Sequence, residues 1–129
     1  MGIDLVDVAR VEQLLERHPD RSVTRLLTDD ERAYCFSQAA PAPHVAARLA
    51  AKEAAFKALA GGGDTAFLAW REFEVTRKAD GTPGLTLHGG ALETAKRLEV
   101  GAALVSLTHT QRQAAAVVVF LKGATAGGR

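Results

Sequence analysis

The chain has 129 residues, enough for one domain with a modest core, and no second domain is expected. Hydrophobic residues make up 47% and charged residues 24%, and 16 basic against 15 acidic side chains leave no overall field to attract nucleic acid or a membrane, so any recognition by charge must be local. The single cysteine, Cys35, excludes an internal disulfide, no apolar run reaches the about 20 residues of a membrane span, and Asp4 and Asp7 break any signal-peptide pattern, so a cytoplasmic protein is expected.

Met1 to Val6 is a β-prone run in which Ile3 and Leu5 point to one side of the pleat and Asp4 to the other. Asp7 is placed to N-cap a helix through Val8, Val11, Leu14 and Leu15, with Pro19 just past its end. Thr28 and Glu31 have the spacing of a capping box, which predicts a second helix from Asp29 to about Gln38, with Cys35 and Phe36 free to pack. Ala39 to Pro43 contains Pro41 and Pro43 and is expected to be a loop.

A long central helix is predicted from about His44 to the glycines Gly61, Gly62 and Gly63. Val45, Leu49, Phe56 and Leu59 share one face of it, while Ala47, Ala51, Ala54 and Ala58 form an opposite face of very small side chains, so both faces can be covered. Arg48, Lys52, Glu53 and Lys57 lie between them. Glu53 and Lys57 have the i,i+4 order that by itself stabilises a helix by about 0.2–0.5 kcal/mol. Lys52 has apolar neighbours on the wheel, past which its stem can snorkel.

Phe73 and Val75 alternate with charged residues, Ala79 to Gly84 supplies turn chemistry, and Leu85 and Leu87 resume the alternation, which predicts a hairpin. Ala91 to Glu99 reads as a short helix. Ala103 to Thr108 and Ala114 to Leu121 read as two strands around a tight turn near Gln111. Ala114 to Leu121 has no polar residue, so it needs cover on both faces, from helices or from another subunit. The expected class is α+β, a small, mostly antiparallel sheet packed on the central helix, in a single domain over 1–122 with a disordered tail over 123–129.

A strand carboxylate at Asp4 and a helix carboxylate at Glu53 make half of a hard-metal site, and Mg²⁺ commonly takes one or two carboxylates and completes its shell with water and substrate phosphates. Lys57, one turn from Glu53, is placed to neutralise phosphate charge. The Gly61 to Gly63 segment offers backbone N–H groups to the same anion, or is simply a helix stop. His109 stands near a predicted strand end among the hydroxyls of Ser106, Thr108 and Thr110, where a lone histidine is usually structural. His18, His44 and His88 have no ligand spacing with one another or with Cys35, which argues against zinc, and neither a P-loop nor a GxGxxG pattern occurs.

Taken together, GIDLVDVARV, RLAAKEAAFKAL and VSLTHTQRQAAAVVV, in this order and spacing, resemble the holo-acyl-carrier-protein synthase family of 4′-phosphopantetheinyl transferases over nearly the whole chain. The resemblance implies an enzyme that moves the 4′-phosphopantetheine arm of coenzyme A to a serine of an apo carrier protein in fatty-acid, polyketide or peptide synthesis. It implies Mg²⁺ on Asp4 and Glu53, a phosphate-facing Lys57, basic coenzyme contacts at Arg48 and Lys52, and His109 near the bound coenzyme; Ser106, Gly61 and Gly62 join the expected coenzyme contacts. Glu53, directly or through a metal-bound water, and His109 are the candidate bases. Carrier proteins of this class are acidic, and Arg10, Arg17 and Arg21 would line one helix face toward them if the helix survived Pro19. The resemblance also implies a homotrimer with active sites shared between subunits.

Three departures from the family pattern stand out. Met1 directly precedes Gly2, Glu12 and Glu16 dilute the basic character of the first helix, and Thr110 stands where some relatives have Asp. A non-catalytic coenzyme A or carrier-protein binding module is the alternative, against which intact Asp4, Glu53 and Lys57 argue. A Mg²⁺-dependent pyrophosphate hydrolase would need more carboxylates than these motifs provide.

Overall fold

The computed structural model describes residues 1–60 and 68–123. Strand β1 (Gly2–Asp7) leads into helices α1 (Val8–Arg17), α2 (Pro19–Leu26), α3 (Asp29–Phe36) and α4 (Pro41–Ala60). A short 3-10 turn, Trp70–Glu72, opens the second half, followed by β2 (Phe73–Arg77), β3 (Pro83–Leu87), α5 (Gly89–Arg97), β4 (Val100–His109) and β5 (Gln113–Lys122). The expected glycine segment, Gly61 to Gly63, lies outside the described residues. So does the expected tail from residue 124 onward; Gly123 is described, and its N–H donates to the Glu99 carbonyl at 2.7 Å.

Helix α4 is the axis of the fold. Val45, Leu49 and Leu59 are buried, and so are Ala47, Ala51 and Ala54 on the opposite side, so both faces are covered as their composition requires. The alanine side receives the three-stranded antiparallel sheet, ordered β1-β5-β4, with β5 in the middle. Gly2 shows how closely β1 approaches: a Cβ there would stand 1.9 Å from the Ala54 carbonyl oxygen. β5 turns Ala114, Ala116 and Val118 inward, and Ala115, Val117 and Val119 are only half-buried on the outer face. The expected hairpin is a separate two-stranded sheet, Phe73 opposite Leu87 and Val75 opposite Leu85.

Some local expectations change. The chain does not run straight past Pro19; α1 ends at Arg17 and α2 restarts with Pro19 in its first turn, where the missing N–H is harmless. Arg10, Arg17 and Arg21 therefore do not share one helix face. Asp7 sits at the N-cap position but makes no side-chain cap; its Oδ1 accepts from Gln113 Nε2 at 3.3 Å. Pro41 and Pro43 belong to the first turn of α4 rather than to a loop, again because early helical positions tolerate proline. The capping box at α3 forms as expected.

Candidate active site

Alternation in β1 buries Gly2 and Val6 against α4 and points the Asp4 carboxylate the same way, while Ile3 and Leu5 face outward. There Asp4 meets Glu53 and Lys57, which one helical turn places on the same side of α4. Lys57 Nζ donates to Asp4 Oδ1 at 2.6 Å and to the Ile3 carbonyl at 3.3 Å. Lys57 is thus bridged to the strand, not held in the intrahelical pair with Glu53. Glu53 instead has the Arg10 guanidinium 3.7 Å away.

The electrostatics of the pair are uneven. Burial raises the Glu53 pKa, and the hydrogen bond and charge of Asp4 raise it further, to about 7, against Arg10 and Lys57. Burial also pushes Asp4 upward, but the proton shared with Glu53 and the ammonium of Lys57 outweigh it and hold Asp4 below the ordinary carboxylate range. Asp4 Oδ2 is buried without a donor from any described residue except a proton carried by Glu53 itself. Two close carboxylates, one with an unpartnered buried oxygen, are a donor set that a small hard cation completes. Among the described residues, no group of three or more His, Cys, Asp or Glu side chains is arranged to hold a metal. Asp4 and Glu53 thus stand as a pair of carboxylates and not as part of a larger cluster among the described residues.

A groove of about 430 Å³ opens from Glu53 between α1, α2, α4 and the 3-10 turn. Arg10, Arg21 and Arg25 form its basic rim. Arg17 does not line it, although it shares α1 with Arg10.

Arg48 and His109 form a second cluster. The His44 and His109 rings meet edge to face at 4.8 Å, and the Arg48 and Arg77 guanidinium groups stand over the Tyr34 ring at 4.4 and 4.5 Å from its centroid. Arg48 is 3% exposed, and its Nε has no partner among the described residues. Burial, His109, Arg48 and Arg77 all lower the His44 pKa. This cluster lies at the N-terminal part of α4: His44 is nine residues before Glu53, roughly 13 Å along the axis at 1.5 Å per residue. Ser106 and Thr108 alternate to the outer sheet face and are not brought to His109. Sequence reasoning missed Tyr34 and Arg77, which come from other elements and carry no spacing signal to Arg48.

Lys52 corrects its expectation. It is 0% exposed, and its ammonium donates to Glu31 Oε1 at 2.7 Å, to the Trp70 carbonyl at 3.0 Å and to the Phe73 carbonyl at 2.5 Å. All three ammonium protons are engaged inside the protein, so Lys52 is not free to meet a coenzyme.

Among the described residues, no helix is long and apolar enough to cross a membrane. Residues 1–118 match the family model of the 4′-phosphopantetheinyl transferase superfamily. The chain is 42% identical over 118 residues to the holo-[acyl-carrier-protein] synthase of Moorella thermoacetica, covering 92% of this chain and 90% of that one. It is 46% identical over 124 residues to the synthase of Methylobacterium radiotolerans, with 93% and 90% covered. The crystal structure of the Helicobacter pylori holo-[acyl-carrier-protein] synthase in complex with coenzyme A aligns with a TM-score of 0.79 at 28% identity, covering 93% of this chain and 98% of that one. With this agreement over sequence and fold, the chain belongs to the holo-[acyl-carrier-protein] synthase family of the 4′-phosphopantetheinyl transferase superfamily.

Proposed function

We propose that the protein transfers the 4′-phosphopantetheine arm of coenzyme A to a serine hydroxyl of an apo carrier protein and releases adenosine 3′,5′-bisphosphate. Within this family, the observation that carries the reading is the Asp4–Glu53–Lys57 constellation, with the Asp4 oxygen buried and lacking a donor. Asp4 and Glu53 fit Mg²⁺, which when bound supplies charge neutralisation on the pyrophosphate and polarises the phosphorus under attack. Lys57, half-exposed at the edge of the pair, is positioned to stabilise charge on the phosphoryl oxygens and the leaving group.

Glu53 is the base this geometry favours, because it is the carboxylate that stands beside Asp4 and Lys57 and lines the groove; its pKa of about 7 belongs to the metal-free pair, and that proton is displaced when Mg²⁺ binds. His109 of the same chain packs edge to face against His44, too far along α4 to serve that Glu53. We assign Arg48 and His109 instead to the coenzyme, with the guanidinium of Arg77 beside that of Arg48 over the Tyr34 ring adding positive charge there. The separation of the two clusters on α4 accords with the homotrimer that the resemblance implies, with Asp4, Glu53 and Lys57 mainly on one subunit and part of the coenzyme pocket on the next. The basic rim of Arg10, Arg21 and Arg25 faces an acidic carrier protein. A cytoplasmic setting accords with the free, buried Cys35.

The test is direct. Incubation with coenzyme A, Mg²⁺ and an apo carrier protein adds one phosphopantetheine to the carrier mass. A carrier of unchanged mass, with coenzyme A still bound by the protein, would identify a binding module instead.

A further inference from the structure

We propose that Trp70 forms the wall against which the pantetheine arm of the coenzyme lies, and that the buried Lys52–Glu31 pair is the positioning device that sets this wall. The proposal rests on the coenzyme reading above and deepens it. The groove that opens from Glu53 is sorted by chemistry: its rim is basic, and its inner surface is made by Leu14, Leu26, Leu49 and Trp70. Its volume of about 430 Å³ falls in the roughly 300–1,000 Å³ range of small-molecule clefts.

Three groups meet at the phosphorus under attack: the leaving adenosine 3′,5′-bisphosphate, which the reading above assigns to the Arg48–His109 cluster, the serine of an acidic carrier, which suits the arginines, and the pantetheine arm. The arm is uncharged; its methyl and methylene groups gain by leaving water for a leucine and indole surface, and its amides can keep hydrogen bonds on the open side of the groove. The groove is continuous with Glu53, so the arm reaches this surface without crossing the rim.

Trp70 is held from two sides. The Phe56 ring packs behind it, with centroids 5.9 Å apart. Its carbonyl accepts from Lys52 Nζ at 3.0 Å. Lys52 is tied in turn to Glu31, whose Oε2 accepts from the Val75 N–H at 2.8 Å and whose Oε1 accepts from the Thr28 N–H at 2.9 Å. The network therefore joins the start of α3, the 3-10 turn and β2 to the residue adjacent to Glu53. A buried ion pair of this kind is a weak source of stability compared with well-packed apolar side chains. What it supplies is direction: three acceptors at fixed angles hold the Trp70 main chain relative to α4 and so set where the indole stands beside Glu53.

Trp70 is the single tryptophan of the chain, so its fluorescence reports on this wall alone. With Mg²⁺ present, coenzyme A is expected to shift the emission, and adenosine 3′,5′-bisphosphate, which lacks the arm, to leave it unchanged. Trp70→Ala is expected to weaken coenzyme A binding about tenfold by calorimetry, with the affinity for the bisphosphate unchanged; Trp70→Phe keeps most of the affinity. Lys52→Met combined with Glu31→Gln should reproduce the selective loss and add little to Trp70→Ala, and Lys52→Arg, which retains the charge at the wrong length, should act in the same direction. A silent indole on coenzyme A binding, or an equal response to both ligands, overturns the wall. Equal loss of both affinities in the Lys52 variants overturns the positioning role. If the wild type binds neither ligand, the coenzyme reading fails, and this proposal with it.

Discussion

Glu53 ionises near neutrality because burial and the adjacent Asp4 oppose its negative charge. In the unfolded chain it ionises at the ordinary value of 4.5, so between 4.5 and about 7 the folded protein binds more protons than the unfolded one. Its contribution to stability is therefore fully present below 4.5 and is lost as pH rises through about 7. From about pH 6 to about pH 8 the metal-free protein should lose thermal stability from this group, and Mg²⁺ should raise the melting temperature more at the higher pH. A melting temperature that is independent of Mg²⁺ at both values would remove Asp4 and Glu53 as a metal pair. Asp4→Asn and Glu53→Gln are each expected to abolish transfer with the fold retained, since each relieves a like-charge contact, and circular dichroism with the mass assay checks both. Lys57→Ala should mainly lower turnover, and Lys57→Arg should retain part of it, because charge persists in a different geometry. The directions of these three side chains were legible in the sequence because strand alternation in β1 and one helical turn in α4 are local, whereas the contact that joins strand to helix spans 53 residues and was suggested by the family resemblance. The role of Lys52 was not, because Glu31 is 21 residues away and its other two acceptors are backbone carbonyls brought in by the fold.

Strand β1 can deliver Asp4 only because nothing stands between it and α4. Gly2→Ala would drive a methyl into the Ala54 carbonyl, forcing the strand away from the helix at a cost of about 1–3 kcal/mol and displacing Asp4 two residues on. Denaturation midpoints and the Mg²⁺ requirement should worsen together; a stability loss with an unchanged metal requirement would show that Asp4 does not depend on this contact. The small-residue side of α4 was visible as a pattern of alanines, but its purpose, close strand approach, emerges only with the sheet in place. The arginines illustrate the opposite case. Their spacing suggested one face, yet the helix restarts at Pro19 before Arg21 and Arg25, and Arg10, Arg21 and Arg25 line the groove while Arg17 does not. Arg10→Glu and Arg21→Glu should raise the KM for the carrier severalfold, with a weaker salt dependence, and Arg17→Glu should do so less. Equal effects from all three would mean that long-range charge, rather than the groove, recognises the carrier.

At the scale of the whole molecule, the three-stranded sheet has one covered face and one bare one. Ile3 and Leu5 are 69% and 61% exposed on β1, and Leu104 is 56% exposed on β4. Register joins them: Ile3 lies opposite Val117, Ser106 lies opposite the same Val117 across β5, and Leu104 lies opposite Val119. A continuous apolar strip of this kind on a small domain marks an interface. The sequence announced it through the unbroken apolar run of β5, although the most exposed members proved to be on its neighbours, because the central strand is screened from both sides. A cyclic trimer would bury the strip around its axis and bring the Arg48–His109 cluster of one subunit toward the Asp4–Glu53 pair of the next. Leu5→Glu and Leu104→Glu place charges in the strip without touching either cluster. Light scattering at micromolar concentration should give a trimer for the wild type and smaller species for these variants, with transfer lost in parallel and the fold preserved by circular dichroism. A dissociated variant with full activity would refute the shared site, and a wild-type monomer would refute the assembly itself.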